Sequence, residues 1–185
     1  MRRSELAHIL RAACDVTNDP RILVIGSQAI LASFDEEALP LEATMSIEAD
    51  LAFFDDPEER KSDLVDGAIG ELSPFHDEFG IYGQGVSLST ETLPTGWQER
   101  LTSFDHPEAG ESRAVCLEPH DLVVSKLVGG REKDFAFARA LLDARLIQAE
   151  VLSERAKLLP GPGAVRRRVL DWIESAAKRA RRGRA

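Results

Sequence analysis

Hydrophobic positions repeat with two different periods along the chain, and the change of period separates two halves. In the first half, short apolar runs typical of buried strands stand between stretches with helical spacing. We expect strands at residues 21–25, 47–54, 80–88 and 114–117, and helices at residues 4–16, from 28 onward and at 64–72. The acidic, proline-containing stretch 35–44 is expected to form a loop.

From Pro119 onward, apolar residues follow helical spacing almost throughout. Helices are expected at residues 119–128, 131–146 and 149–158. After the break at residues 160–163, a last helix carries arginines on one face and, on the other, Val165, Val169, Trp172, Ile173 and Ala176. The order predicts an α+β protein: an α/β core with few strands at residues 1–118, then a helical region at residues 119–185 that ends in a basic amphipathic helix.

Composition narrows the class of protein. Of the 185 residues, 43% are hydrophobic and 30% are charged, which lies within the globular range. No apolar run approaches the ~20 residues of a membrane span, and the first residues lead into no signal-peptide core. Cys14 and Cys116 lie far apart in apolar settings, which disfavours a disulfide framework. We therefore expect a cytoplasmic protein with no membrane contact.

The net charge of -9 conceals an uneven distribution. Residues 151–185 contain 10 Lys and Arg against 3 Asp and Glu, whereas residues 1–150 contain 13 against 29. A basic arm on an acidic body could bind nucleic acid or an acidic partner. It could also dock on its own acidic body, and the two alternatives carry equal weight.

Gly26 and Ser27 stand where a predicted strand gives way to a predicted helix. Glycine lets a ligand approach the backbone closely, and the N-terminus of the following helix offers free N–H groups to a phosphate. The Ser27 hydroxyl can add one more donor. A serine that only caps its own helix is the commoner explanation of such a pair.

Glu48 and Asp50 are two residues apart in the predicted strand 47–54, so their side chains should project from one face. Two neighbouring carboxylates repel each other unless a cation lies between them. The pair therefore favours a Mg²⁺ site that substrate phosphates and water would complete. The alternative is an edge strand with two solvent-facing acids.

Lys126 is flanked in sequence by valines and leucines, and so many apolar neighbours are unusual for a lysine. A lysine that reaches from such a helix into a phosphate site would act as a point-charge anchor. A surface lysine with a buried stem is the alternative. The turn at residues 129–134 belongs to the same candidate site, although a solvated helix start explains Arg131 and Lys133 equally well. For Asp134, a favourable charge in the first helical turn is an equal explanation.

Several other kinds of chemistry are disfavoured. The four histidines show no metal-ligand spacing and have no cysteine beside them, which argues against a zinc site. Neither a nucleophile elbow nor a Gly-x-x-x-x-Gly-Lys phosphate loop occurs, which argues against triad hydrolases and P-loop nucleotide hydrolases.

Three segments in combination resemble the minimal nucleotidyltransferase fold of the DNA polymerase β superfamily. They are Gly26-Ser27-Gln28-Ala29, then Ser46-Ile47-Glu48-Ala49-Asp50-Leu51, then Leu122–Leu127 followed by Arg131-Glu132-Lys133-Asp134. Together with residues 75–86 and 93–97, they are similar to the DUF6036 group and to the related AbiEii-like toxins of type IV toxin–antitoxin systems. The resemblance spans about residues 23–142 and implies a small mixed sheet with flanking helices.

The resemblance also implies roles for the matching residues. Gly26 and Ser27 would bind the nucleotide triphosphate, and Lys126 would contact it as well. Glu48 and Asp50 would hold Mg²⁺ in the place of the family's Asp-x-Asp pair. Catalysis would then consist largely of positioning and of stabilising the charge that accumulates on pyrophosphate.

Asp134 would match the aspartate of the family's later Lys-Asp motif, with a catalytic role. The sequence departs from the family pattern in its first acid, which is glutamate, and at Thr44, where the family commonly has an arginine. A third carboxylate could be Asp77, Glu78 or Glu118, and the sequence does not choose among them.

These points predict a Mg²⁺-dependent nucleotidyltransferase that moves a nucleotide from an NTP to an acceptor hydroxyl. The resemblance implies that the acceptor is the 3′ end of tRNA or a protein side chain, and that the protein is a toxin with a cognate antitoxin. One alternative is a catalytically degenerate scaffold that binds nucleotide, RNA or a partner protein, and another is a structural domain that dimerises through its last helix. If the basic arm binds RNA, removal of residues 165–185 should abolish RNA association and leave NTP binding intact.

Overall fold

The structure is a computed structural model that describes the backbone of residues 1–182 and the side chains of residues 1–179. The end of the predicted basic arm, residues 183–185, lies outside the described residues. In chain order the elements are α1 (Arg3–Thr17), β1 (Ile22–Val24), α2 (Leu41–Thr44), β2 (Glu48–Phe53), α3 (Arg60–Ile69), α4 (Pro74–Phe79), β3 (Tyr82–Gly85), β4 (Thr102–Ser103), β5 (Val115–Cys116), α5 (Pro119–Gly129), α6 (Glu132–Asp143), α7 (Ala149–Lys157) and α8 (Gly163–Arg182).

The strands form one mixed sheet in the order β3-β2-β1-β5-β4. The central strand β1 runs antiparallel to β2, with Leu23 opposite Ala52, and parallel to β5, with Leu23 opposite Val115. β3 runs parallel to β2, and β4 runs antiparallel to β5. Since β1 is buried along its whole length, its unbroken apolar sequence is explained. The mixed sheet with its flanking helices confirms the predicted α+β class.

Helices α1 and α3 pack closely against β3. A Cβ atom placed on Gly83 would lie 3.2 Å from Ile9 of α1 and 3.1 Å from Ile69 of α3, so the glycine permits a tight approach. Elsewhere, α5 contacts a 3₁₀ segment at Ser27–Ala32. These contacts bring the end of β1, strand β2 and helix α5 to one place in the fold.

The last helix, α8, packs against α5, α6 and α7. It buries Val169, Ile173 and Ala176, three of the residues predicted to share its apolar face. The apolar face of the basic arm therefore lies against the rest of the protein.

One cluster of buried apolar residues runs through the sheet, α1 and the helices that follow Pro119. All five strands of the described part precede Pro119, and only helices follow it. The division into a core at residues 1–118 and a helical region at residues 119–185 stays a prediction. No helix among the described residues is both long and apolar enough to cross a membrane.

Several local elements differ from the sequence-based expectation. The helix expected from residue 28 is a 3₁₀ segment of six residues, and the loop at 35–44 contains a 3₁₀ turn and the short helix α2. Helix α3 begins at Arg60 rather than at residue 64. The Asp56 carboxylate accepts hydrogen bonds from the backbone N–H groups of Lys61 and Ser62 at 3.0 Å, so a residue outside the helix satisfies its first turn.

Helix α4 and strand β4 were not expected from the pattern. The signals for α4 are nevertheless present: Ser73 accepts a hydrogen bond from the backbone of His76, Pro74 is the first helical residue, and Gly80 ends the helix with a φ of 68°. β4 is only two residues long, too short for any alternation to be visible.

Candidate functional site

Gly26 follows β1 and lies against Asp50 of β2. The backbone N–H of Ile25 donates to the carbonyl of Asp50 at 3.1 Å, which fixes the end of β1 against β2. A Cβ on Gly26 would collide with the Asp50 carboxylate. Glycine is therefore required here by a close approach rather than by an unusual backbone angle.

Glu48 and Asp50 are both half-buried on β2, whereas Ala49 and Leu51 between and beyond them are fully buried. The alternation places the two carboxylates side by side on one face, as their spacing predicts. Burial, together with the neighbouring Glu48 carboxylate, raises the pKa of Asp50 to about 6. The Tyr82 hydroxyl of β3 donates to Glu48 Oε2 at 3.2 Å and holds that side chain in place.

Lys126 lies near the C-terminal end of α5, with only 11% of its side chain exposed. Its Nζ is 3.8 Å from Asp134 Oδ1 and 5.0 Å from the centre of the Phe137 ring. Burial lowers the pKa of Lys126, and the carboxylates of Asp134 and Asp50 partly oppose that change. The lysine is therefore a buried cation held between two acids, not a surface lysine.

Asp134 is buried in the first turn of α6, where its carboxylate binds the residue that caps the helix. It accepts hydrogen bonds from the Arg131 backbone N–H at 3.2 Å, from Arg131 Nε at 2.8 Å and from Arg131 Nη2 at 3.2 Å. Burial alone would raise the pKa of Asp134, but the bond from Arg131 and the charge of Lys126 lower it. Asp134 thus holds both cations, which makes it a positioning group.

A cavity of about 400 Å³ lies over these residues. The ends of β1 and β3 contribute Ile25, Gly26 and Val86 to its wall, and β2 contributes Asp50. The remaining lining residues come from the segment after β3 and from the α5–α6 turn: Thr90, Glu91, Thr92, Ser125, Lys126, Val128, Gly129 and Arg131. The cavity therefore combines two carboxylates, two cations and a glycine backbone.

The sequence-predicted residues do not all reach this cavity. Gly26, Asp50 and Lys126 line it. Ser27 and Glu48 do not line it, but they lie next to Gly26 and Asp50, which do. Asp134 does not line it either, and its carboxylate faces Lys126.

Two charged residues of the cavity, Arg131 and Glu91, received no role from the sequence. Arg131 stands in the 129–134 turn, which the sequence placed in the candidate site without a role for this side chain. Glu91 carries no sequence signal. Its Oε2 accepts a hydrogen bond from the Ser125 hydroxyl at 3.0 Å, a contact between residues 34 positions apart in sequence.

None of the three candidates for a third carboxylate lines the cavity. Asp77 and Glu78 lie on α4. Glu118 caps α5 and accepts hydrogen bonds from the backbone of His120 at 3.1 Å and of Asp121 at 3.3 Å. The acid that the cavity does contain besides Asp50 is Glu91.

Comparison with known proteins gives one result at the level of the family. No curated protein and no solved structure was found to match the chain. Residues 4–158 match the family described as "nucleotidyltransferase of unknown function (DUF6036)". Because this match spans most of the chain, the protein belongs to that nucleotidyltransferase family.

Proposed function

We propose that the protein is a Mg²⁺-dependent nucleotidyltransferase that transfers a nucleotide from an NTP to an acceptor hydroxyl. The observation that carries the proposal is the meeting of Asp50, Lys126 and Arg131 in one cavity beside Gly26. A triphosphate suits this arrangement, because protein cations can bind its oxygens while a carboxylate-held cation shares them. Membership of a nucleotidyltransferase family supports the same reading.

The acid pair has donors suited to Mg²⁺. Glu48 and Asp50 offer hard oxygen ligands, and their repulsion, which contributes to the raised pKa of Asp50, would be relieved by a divalent cation. Among the described residues, no group of three or more His, Cys, Asp or Glu side chains could hold a metal alone. Mg²⁺ commonly combines one or two protein carboxylates with phosphates and water, so the pair fits. When bound, the ion would neutralise charge that develops on the phosphates.

The protein's own residues would then act as follows. Lys126 and Arg131 bind the phosphate oxygens, and Asp134 keeps both cations in place. Gly26, and with it Ser27, lets the triphosphate approach the backbone. The acceptor oxygen attacks the α-phosphorus, the bond to the β-phosphate breaks, and pyrophosphate leaves with the electron pair. We assign the proton of the acceptor hydroxyl to Glu91, whose carboxylate is exposed at the rim of the cavity.

The outer face of α8 supports an RNA acceptor. Arg167 and Arg179 are exposed there and form no hydrogen bond or ion pair with the described residues, so they are available to phosphates. Because the sequence resembles AbiEii-like toxins, we extend the proposal to the 3′ end of tRNA as acceptor and to a toxin role with a cognate antitoxin.

A second candidate function is a scaffold that binds NTP without transferring it. It is favoured by glutamate at the first metal-binding position, and by the described residues containing no self-sufficient cluster of metal ligands. The fold and the cation pair would serve both functions equally.

The test is incubation of the protein with each labelled NTP, Mg²⁺ and total tRNA. We expect transfer by the wild type, loss of both NTP affinity and transfer in Lys126→Ala, and loss of Mg²⁺-dependent transfer in Asp50→Ala even where some NTP still binds. Wild-type activity in both variants would contradict the enzymatic proposal. Binding of NTP by the wild type without transfer to any acceptor would select the scaffold.

A further inference from the structure

The last helix, α8, touches the turn that carries the two cations of the cavity. Arg168 Nη2 donates to the carbonyl oxygen of Val128 at 2.7 Å, across 40 residues of sequence. The same nitrogen lies 3.8 Å from the position that a Cβ on Gly130 would take. Val128 and Gly129 line the cavity, so the guanidinium of Arg168 reaches the back of the cavity wall.

A second contact from α8 reaches the other side of the same turn. The Trp172 ring stacks on Phe135, with 5.6 Å between ring centres and 22° between ring planes. Phe135 follows Asp134 in the first turn of α6. Residues one helical turn apart on α8 thus hold both the end of α5 and the start of α6.

The turn needs support from outside. Gly129 and Gly130 have no side chains to fix the chain direction, and Gly130 adopts a φ of 69°. The Val128 carbonyl belongs to the last turn of α5, where no intrahelical N–H is available to bond it. A cationic donor at this position satisfies the carbonyl and also interacts favourably with the C-terminal end of the helix.

We propose that α8 is part of the nucleotide site, and that Arg168 is a positioning residue that holds the 128–131 turn so that Lys126 and Arg131 face the triphosphate. This inference rests on the proposed function. α8 follows residues 4–158, so it lies outside the part that matches the family. The sequence-based expectation that residues 165–185 can be removed without loss of NTP binding is thereby replaced: their removal weakens NTP binding.

The test uses three variants of the full chain, Arg168→Ala, Arg168→Lys and Arg167→Ala. Arg167 is the matched control, because it is also exposed, carries the same charge and its side chain bonds to none of the described residues. We expect the Kd for Mg²⁺-NTP to rise about tenfold in Arg168→Ala, a change of about 1.4 kcal/mol. Arg168→Lys should restore most of the affinity, Arg167→Ala should bind as the wild type does, and all three should melt at similar temperatures.

Equal losses in Arg168→Ala and Arg167→Ala would overturn the inference, because a general charge effect would explain them. A loss of affinity that follows a lower melting temperature would overturn it as well. Backbone hydrogen exchange in the nucleotide-free protein adds an independent measurement. Amides of residues 128–134 should exchange faster in Arg168→Ala only, and unchanged exchange would contradict a clamp at this turn.

Lys126→Ala, measured in the same assay, separates failure of the proposed function from failure of this inference. If the wild type binds NTP no better than Lys126→Ala, the proposed function is wrong, and hydrogen exchange alone decides whether Arg168 holds the turn. If Lys126→Ala loses binding and Arg168→Ala does not, the function stands and the role of Arg168 is wrong.

Discussion

At the scale of single residues, the position of Asp50 depends on one glycine. Gly26 has no room for a Cβ because the Asp50 carboxylate occupies that space. Any side chain at residue 26 must therefore push Asp50 away from the place where it faces Lys126 and the cavity. A displacement on the order of 1 Å at a reacting centre can cost about 100-fold in rate.

We expect Gly26→Ala to lower nucleotide transfer on the order of 100-fold and to destabilise the protein by about 1–3 kcal/mol through overpacking. Gly67→Ala is the matched control. It adds the same methyl group within α3, where nothing lies within 4 Å of the new Cβ. The control should keep full transfer and gain about 0.5–1 kcal/mol of stability, because glycine is a poor residue inside a helix. Equal transfer by the two variants would show that Asp50 tolerates displacement.

The raised pKa of Asp50 makes the stability of the metal-free protein depend on pH. With a folded-state pKa of about 6 against an ordinary value of 3.8, the folded protein favours the protonated carboxyl. The resulting stabilisation is complete below pH 3.8 and is lost as the pH rises through about 6. We expect this group to lower the free energy of unfolding by on the order of 2 kcal/mol between about pH 4 and about pH 7.

Urea unfolding of the wild type and of Asp50→Asn, both without divalent cations, measures this contribution. The difference between the two free energies should change over that pH range, and Mg²⁺ should reduce the change for the wild type by favouring the ionised pair. Parallel curves for the two proteins would contradict the shift.

Sequence reasoning succeeded at the residue scale where spacing within one element determines the geometry. The two-residue interval between Glu48 and Asp50 was enough to place both carboxylates on one face. It missed Glu91 because that residue follows no periodic element, and its position depends on a hydrogen bond to Ser125 on a distant helix. For Arg131 it included the turn in the candidate site but assigned the side chain no role, since the cavity beside the turn is created by packing.

At the scale of elements, the α5–α6 turn depends on a single buried acid. Asp134 is 1% exposed and bonds the backbone and guanidinium of Arg131 while facing Lys126. We expect Asp134→Asn to destabilise the protein by about 3 kcal/mol, since it removes the acid in contact with a buried lysine and leaves only the more distant charge of Asp50. It should also weaken NTP binding, because both cations lose the group that holds them. Urea unfolding and NTP titration measure the two effects.

Glu132→Gln is the control for that change. It removes an acid from the same helical turn, but at an exposed position. Only the helix-dipole contribution should be lost, about 0.3–1 kcal/mol, and NTP affinity should stay the same. If both variants behaved alike, the role of Asp134 would reduce to the dipole explanation that the sequence also allowed.

The best-predicted elements were helices with repeated apolar spacing. Helices α1, α5, α6 and α7 came close to their expected bounds, because two or more turns of apolar spacing define each of them. Two-residue strands and single 3₁₀ turns hold too few residues to show a period. Their existence follows from pairing and capping partners that are distant in sequence.

At the scale of the whole molecule, the basic arm of the sequence turns out to be partly engaged with the body. Of three successive arginines on α8, Arg166 donates to the carbonyl of Leu159 at 2.6 Å and Arg168 to that of Val128, while Arg167 stays free of the described residues. Lys178 pairs with Glu174 at 2.6 Å. Counting charges along the sequence therefore overstated the surface available to a polyanion, since it could not show which guanidinium groups serve as anchors.

The RNA binding proposed for α8 should depend on salt through the few cations that remain free. Each phosphate contact contributes about 0.7–0.9 to the slope of log K against log salt. We expect the double variant Arg167→Gln/Arg179→Gln to reduce that slope by about 1.5, while NTP binding stays unchanged because neither residue touches the α5–α6 turn. The control Arg11→Gln/Arg113→Gln removes the same charge from exposed positions outside α8 and should leave the slope unaltered. Equal slopes for the α8 variant and the wild type would place the RNA surface elsewhere, and equal losses in both double variants would indicate a general effect of net charge.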